Sequence, residues 1–160
     1  MTKTFYIIIY FCLLNIISFG QTAKVIQSLD TAKLAVFYKS GSTLTQGQIK
    51  TADSILINVV NYYNAKVDKG QTPNNDTIVL SFGAADKIDI EKYCRQYTVT
   101  VFNDGSVNIN AFCFCQNMVK IELINWKKTP IKIHDGGSCV FSVRLDLTTG
   151  LGQMMKVNGM

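Results

Sequence analysis

One amphipathic helix limits what this chain can fold into. Thr45 and Gln48 stand three residues apart, the spacing of a capping box. In that motif each side chain accepts a hydrogen bond from the other residue's backbone N–H at a helix start. Leu44 and Ile49 occupy the positions of a hydrophobic staple around it. Ile49, Ala52, Ile55, Leu56, Val59, Val60 and Tyr63 then recur at helical spacing. The spacing predicts a helix over 46–65 with one apolar stripe, and Lys69-Gly70 with the polar run Gln71 to Asp76 ends it. Such a stripe must be buried against another element, and the rest of the chain supplies a sheet.

After the helix the hydrophobic period changes to two. Thr77 to Phe82, Arg95 to Phe102 and Ser106 to Phe114 read as strands, with Asn103-Asp104-Gly105 as a hairpin turn. Asp86 to Glu91 reads either as a strand entry or as a short helical turn, and Val119 to Trp126 is apolar without a clear period. Ile131 to His134 is a short strand, followed by the turn Asp135-Gly136-Gly137. Val140 to Leu147 alternates, with Phe141, Val143, Leu145 and Leu147 on one side. Leu151 to Val157 is the last strand, and Ala32 to Tyr38 precedes the helix as the first. The expectation is an α+β domain, one long helix packed on a twisted antiparallel sheet.

The N-terminus carries a different message. Met1 to Thr4 holds one Lys, Phe5 to Ile17 is nearly all apolar, and Ser18 and Gly20 are small. This is the layout of a secretory signal peptide over residues 1–20, with cleavage before Gln21. The apolar run falls short of the ~20 residues that a membrane span needs. The expectation is a single domain over 21–160, secreted or periplasmic, with no stable membrane span after cleavage.

The element order, taken with export, resembles the cystatin-like and NTF2-like folds of small exported proteins. The stretch DGGSCVFSVRLDLTTG and the later VNG are similar to short exported bacterial proteins of uncharacterised function. The resemblance implies a sheet wrapped on one helix. It does not bring protease inhibition with it. The inhibitory hairpin of cystatins carries Gln-x-Val-x-Gly, whereas this chain has Gln96-Tyr97-Thr98-Val99-Thr100, without the spacing or the glycine.

An exported chain meets an oxidising compartment, where an even cysteine count favours disulfides. Cys12 lies in the leader, which leaves Cys94, Cys113, Cys115 and Cys139. Cys113 and Cys115 share one face of a strand, so they are expected to pair outward, to Cys94 or Cys139. One disulfide with two free buried thiols is the alternative. A four-thiolate zinc site is disfavoured, because structural zinc takes C-x2-C pairs and this chain has one C-x-C and two single cysteines. No metal and no cofactor are expected.

Among catalytic arrangements, only His134 and Cys139 stand out. A thiolate needs a nearby base, and the two flank a glycine turn, but no third group orients the histidine. A turn with a structural cysteine explains the same residues. Trp126 lies between an apolar stretch and Lys127-Lys128, where an exposed Trp would anchor a partner. The whole chain carries a formal charge of +5, and its lysines are scattered, which argues against a nucleic-acid surface. Asn75-Asp76-Thr77 is an N-glycosylation sequon. Asp30-Thr31, Asp53-Ser54 and Asp76-Thr77 resemble an O-glycosylation pattern of some exported bacterial proteins. The functional expectation is a non-catalytic binding module for a protein or small-molecule partner. A cysteine-dependent hydrolase and a carrier of a small apolar ligand are the rivals.

Overall fold

The computed structural model describes residues 29–39, 43–69, 87–120, 125–133 and 136–157. The expected signal peptide over 1–20 with its cut before Gln21, the strand Thr77 to Phe82, the sequon at Asn75, and His134 and Asp135 lie outside the described residues. Strand β1 (Leu34–Tyr38) is followed by helix α1 (Gln46–Asp68). Among the described residues, strands β2 (Tyr93–Val101), β3 (Val107–Cys115), β4 (Val140–Asp146) and β5 (Leu151–Val157) complete one five-stranded sheet in the order 1-2-3-4-5.

The capping box forms as its residues dictate. Thr45 Oγ1 accepts from the Gln48 N–H at 3.2 Å, and Gln48 Oε1 accepts from the Thr45 N–H at 2.8 Å. The helix runs three residues past the expected end, to Asp68. Ala52, Ile55, Leu56, Val59, Val60 and Tyr63 are buried as expected, while Ile49 is only half-buried. Asp53 is buried with them.

The sheet is mixed rather than purely antiparallel. β1 pairs with β2 in parallel, Leu34 opposite Arg95 and Tyr38 opposite Val99. A crossover that passes through a helix returns the chain in its original direction, so parallel pairing follows from placing α1 between the two strands. The remaining pairs are antiparallel. Gly105 closes the β2–β3 hairpin at φ 82°, a conformation that glycine adopts without strain.

Each face of the sheet is covered by something different. α1 packs over β4 and β5. It lies so close that a Cβ on Gly152 would stand 2.5 Å from Val59 Cγ2 and 2.7 Å from Ile55 Cγ2. Tyr97, Val99, Ile109, Ala111, Cys113, Phe141, Val143 and Leu145 join the α1 stripe in the main core. The other face holds a smaller cluster of Ala35, Cys94, Phe114, Val140 and Trp126, with Phe112, Met118, Val119, Ile131 and Ile133 packed against it. Met118 to Ile133 belong to the β3–β4 connection, whose described residues, 116–120, 125–133 and 136–139, form a strap across the back of the sheet. The expected strand Ile131 to His134 is replaced by irregular backbone over 131–133. The Ile131 N–H is taken by the Gln96 side chain at 2.9 Å instead of by a strand ladder.

Candidate functional site

Strand β2 carries three consecutive polar or reactive side chains whose faces alternate. Cys94 and Gln96 point to the strap, and Arg95 points to α1 with Tyr97. This alternation builds two polar centres inside the protein.

The first lies under α1. Tyr97 donates its phenol proton to Asp53 Oδ1 at 2.5 Å. Arg95 Nε stands 3.6 Å from the same oxygen, and its Nη2 donates to the Asp30 carbonyl at 3.1 Å. Arg95 Nε itself makes no hydrogen bond. All three side chains are buried, and desolvation governs the ionisation of Asp53 and Tyr97. Burial raises Asp53 above the ordinary carboxylate range, against the opposing pull of the Tyr97 hydrogen bond and the Arg95 charge. Tyr97 is raised well above an ordinary phenol, chiefly by burial and then by the Asp53 charge. Such a sealed centre ties α1 to β2 and to Asp30, which caps the 3-10 turn before β1. Of the pairs that resemble a glycosylation pattern, Asp53-Ser54 lies within α1, with Asp53 buried and the Ser54 hydroxyl donating to the Lys50 carbonyl at 2.9 Å.

The second centre holds the strap. Gln96 Nε2 donates to the Trp126 carbonyl and, at 2.9 Å, to the Thr129 carbonyl. Its Oε1 accepts from Ile131 N–H, so one buried amide fixes three strap residues. Trp126 is 6% exposed, with its ring edge against Phe114 at a centroid distance of 5.5 Å. The expectation of an exposed Trp126 is therefore corrected, and the indole anchors the strap. Phe114 on the back face packs against the indole and covers it. Lys127 and Lys128 are exposed beside it, Lys127 Nζ lying 5.3 Å from the indole centroid.

The strap is closed at its base by a disulfide between Cys115 and Cys139, with a Cα separation of 4.9 Å. The bridge sits one step beyond the last β3–β4 pair, Phe114 opposite Val140. Cys139 belongs to a 3-10 turn, Gly137–Cys139, directly before β4. The expected bridge from the 106–115 strand is thus present, and it goes to Cys139. Cys94 is excluded from it by face, because Cys94 belongs to the strap-side cluster and Cys113 and Cys115 to the α1 side. Cys94 and Cys113 are free, buried thiols, and burial raises the pKa of each. Neither offers a thiolate near neutral pH. The Cys139 sulfur is covalently committed, so no nucleophile stands where the His134–Cys139 reading placed one. Among the described residues, no group of three or more His, Cys, Asp or Glu gathers as metal ligands. No helix of the described residues is long and apolar enough to cross a membrane.

Two concave surfaces stand out among the described residues. A cavity of about 410 Å³ lies beside the disulfide, lined by Lys92, Cys115, Gln116 and Asn117. A groove of about 280 Å³ lies between α1 and the start of β5, lined by Ile55, Asn58, Val59, Tyr62, Gly150, Leu151 and Gly152. Tyr62 is 51% exposed and Leu151 68%, so the groove rim presents two large apolar groups to solvent. Sequence reasoning missed Asp53, Gln96 and this groove. A single acid within the apolar stripe of α1 is the signal that would have found Asp53. No protein-family model, curated protein or solved structure matches the chain.

Proposed function

We propose that the chain is an exported, non-catalytic binding module of cystatin-like or NTF2-like layout. It engages an apolar side chain of a protein partner in the groove between α1 and β5. The observation that carries this reading is the pairing of Tyr62 with Leu151, both exposed at the rim of an apolar groove. Large apolar groups gathered around a concavity mark an interaction site, whereas isolated ones carry no such meaning. The bridged Cys139 weighs against the hydrolase.

The test uses Tyr62→Ala and Leu151→Asp in the exported protein. Cross-linking in the envelope or medium should recover a partner with the parent chain. Loss of a rim anchor should weaken that complex by about tenfold or more, the scale of an interface hot spot. Unchanged melting temperatures would show that the fold is intact. Equal recovery with parent and variants would overturn the reading. N-terminal sequencing of the exported material should begin at Gln21.

A further inference from the structure

We propose that Thr31 is a glycosylation site, where a transferase joins a sugar to the threonine hydroxyl and recognises the chain by the Asp30 carboxylate beside it. The site depends on the proposed export of the chain.

Three Asp-Ser/Thr pairs are followed by an apolar residue: Asp30-Thr31-Ala32, Asp53-Ser54-Ile55 and Asp76-Thr77-Ile78. A transferase must bring both the acid and the hydroxyl into its own active site, so burial separates pairs that the pattern does not. Asp53 is 4% exposed and accepts from the Tyr97 phenol. Ser54 is half-buried, and its hydroxyl is spent on the Lys50 carbonyl. Neither reaches an enzyme unless α1 unwinds. Asp76-Thr77 lies outside the described residues. At the first pair, Asp30, Thr31 and Ala32 are exposed in succession.

That first pair also has a fixed shape. Thr31 opens the 3-10 turn Thr31–Lys33, and Asp30 caps it, its Oδ1 accepting from the Ala32 N–H at 2.8 Å. An aspartate bonded to the backbone two residues on is held in place relative to its own chain. The Asp30 carbonyl accepts from the Lys33 N–H at 3.1 Å and from Arg95 Nη2 at 3.1 Å. Lys33 Nζ donates to the Glu91 carbonyl at 2.7 Å. The turn is thus tied to β2 and to the residues just before it, while its acid and its hydroxyl face solvent. A preorganised epitope of this kind lowers the ordering cost of binding.

The transfer balances with a sugar activated as a phosphate ester as the only co-reactant. The Thr31 oxygen attacks the anomeric carbon, a new C–O bond forms, and the bond from that carbon to the phosphate oxygen breaks. The hydroxyl proton passes to a base of the transferase, and the phosphate leaves with the bonding pair. No electrons change hands between oxidant and reductant.

The test is mass spectrometry of the full chain produced in the cell that encodes it. Trypsin releases peptide 25–33, which holds Ser28 and Thr31. This peptide should carry a sugar that fragmentation places on Thr31. Thr31→Ala should lose it, and Thr31→Ser should keep it. Asp30→Asn retains an oxygen for the Ala32 N–H but removes the charge, and its Thr31 should be bare. Thr129 and Thr149 are also exposed but follow Lys128 and Thr148, so they should be bare in the parent. A parent peptide without sugar, or with its sugar on Ser28, would overturn the site. A sugar that survives in Asp30→Asn would overturn the part given to the carboxylate. The N-terminal peptide in the same spectra reports export separately. A bare Thr31 on a chain that begins at Gln21 defeats the site alone, and one on a chain that begins at Met1 defeats the export reading and the site with it.

Discussion

Tyr97 on β2 hands its phenol proton to Asp53 on α1 at 2.5 Å, across the middle of the core. Neither atom has access to water, so neither can replace a lost partner from solvent. Replacing Tyr97 with Phe keeps the ring in place and leaves the Asp53 carboxylate one donor short. Stability should fall by about 1–3 kcal/mol, the cost of an unsatisfied buried polar group. Urea unfolding of the two proteins measures it, and a change near zero would mean that the bond contributes nothing net.

The same carboxylate sets a pH dependence. Burial raises the folded-state pKa of Asp53, so the native protein holds this proton more tightly than the unfolded chain. The resulting stabilisation is complete below the unfolded carboxylate pKa. It is lost as pH rises through the raised value. Asp53→Asn removes this titration and leaves the other carboxylates in place. The stability of the parent relative to Asp53→Asn should therefore decline as pH rises through the acid range. A difference that grows with pH would show that the Arg95 charge outweighs burial.

Leu56 lies fully buried on the α1 stripe against the sheet. Leu56→Ala should cost about 2–5 kcal/mol, combining lost transfer energy with the cavity left behind. Thermal or denaturant melts decide this, and a loss below about 1 kcal/mol would place the helix on the wrong face.

Gln96 makes three bonds to the strap through one side chain. Gln96→Ala strands two carbonyls and the Ile131 N–H, and should cost about 1–3 kcal/mol. The effect should be local. Hydrogen exchange at Ile131 should accelerate, while amides in the middle of α1 keep their protection. Equal acceleration in both places would mean that the strap and the helix unfold together.

What the sequence disclosed about this fold was local or periodic. Thr45 and Gln48 lie one helical turn apart, so their capping box needs no tertiary context. The alternation of Phe141, Val143 and Leu145 needs only the pleat, and all three are buried against α1. The parallel pairing of β1 was hidden, because the direction of a strand depends on where α1 passes and not on the strand's own residues. Gln96 was hidden for a similar reason. Its partners, Trp126, Thr129 and Ile131, are 30 or more residues away and are reached only once the strap crosses the sheet. Trp126 was misread because its neighbours Lys127 and Lys128 are exposed, while Phe114, which covers it, lies on a distant strand.

The placement of Cys94 on the strap side, one residue out of phase with Cys115, also bears on how the chain folds. In the native ladder Tyr93 stands opposite Cys115, and Cys94 opposite Phe114. A one-residue slip of β2 would invert every side chain on that strand and set Cys94 opposite Cys115, on the same face. A cysteine bridge closing at that moment would trap the slipped sheet. In the native register Cys94 lies on the strap side and does not compete with Cys139 for Cys115. The oxidised pair thus accords with a β2–β3 ladder that is in phase.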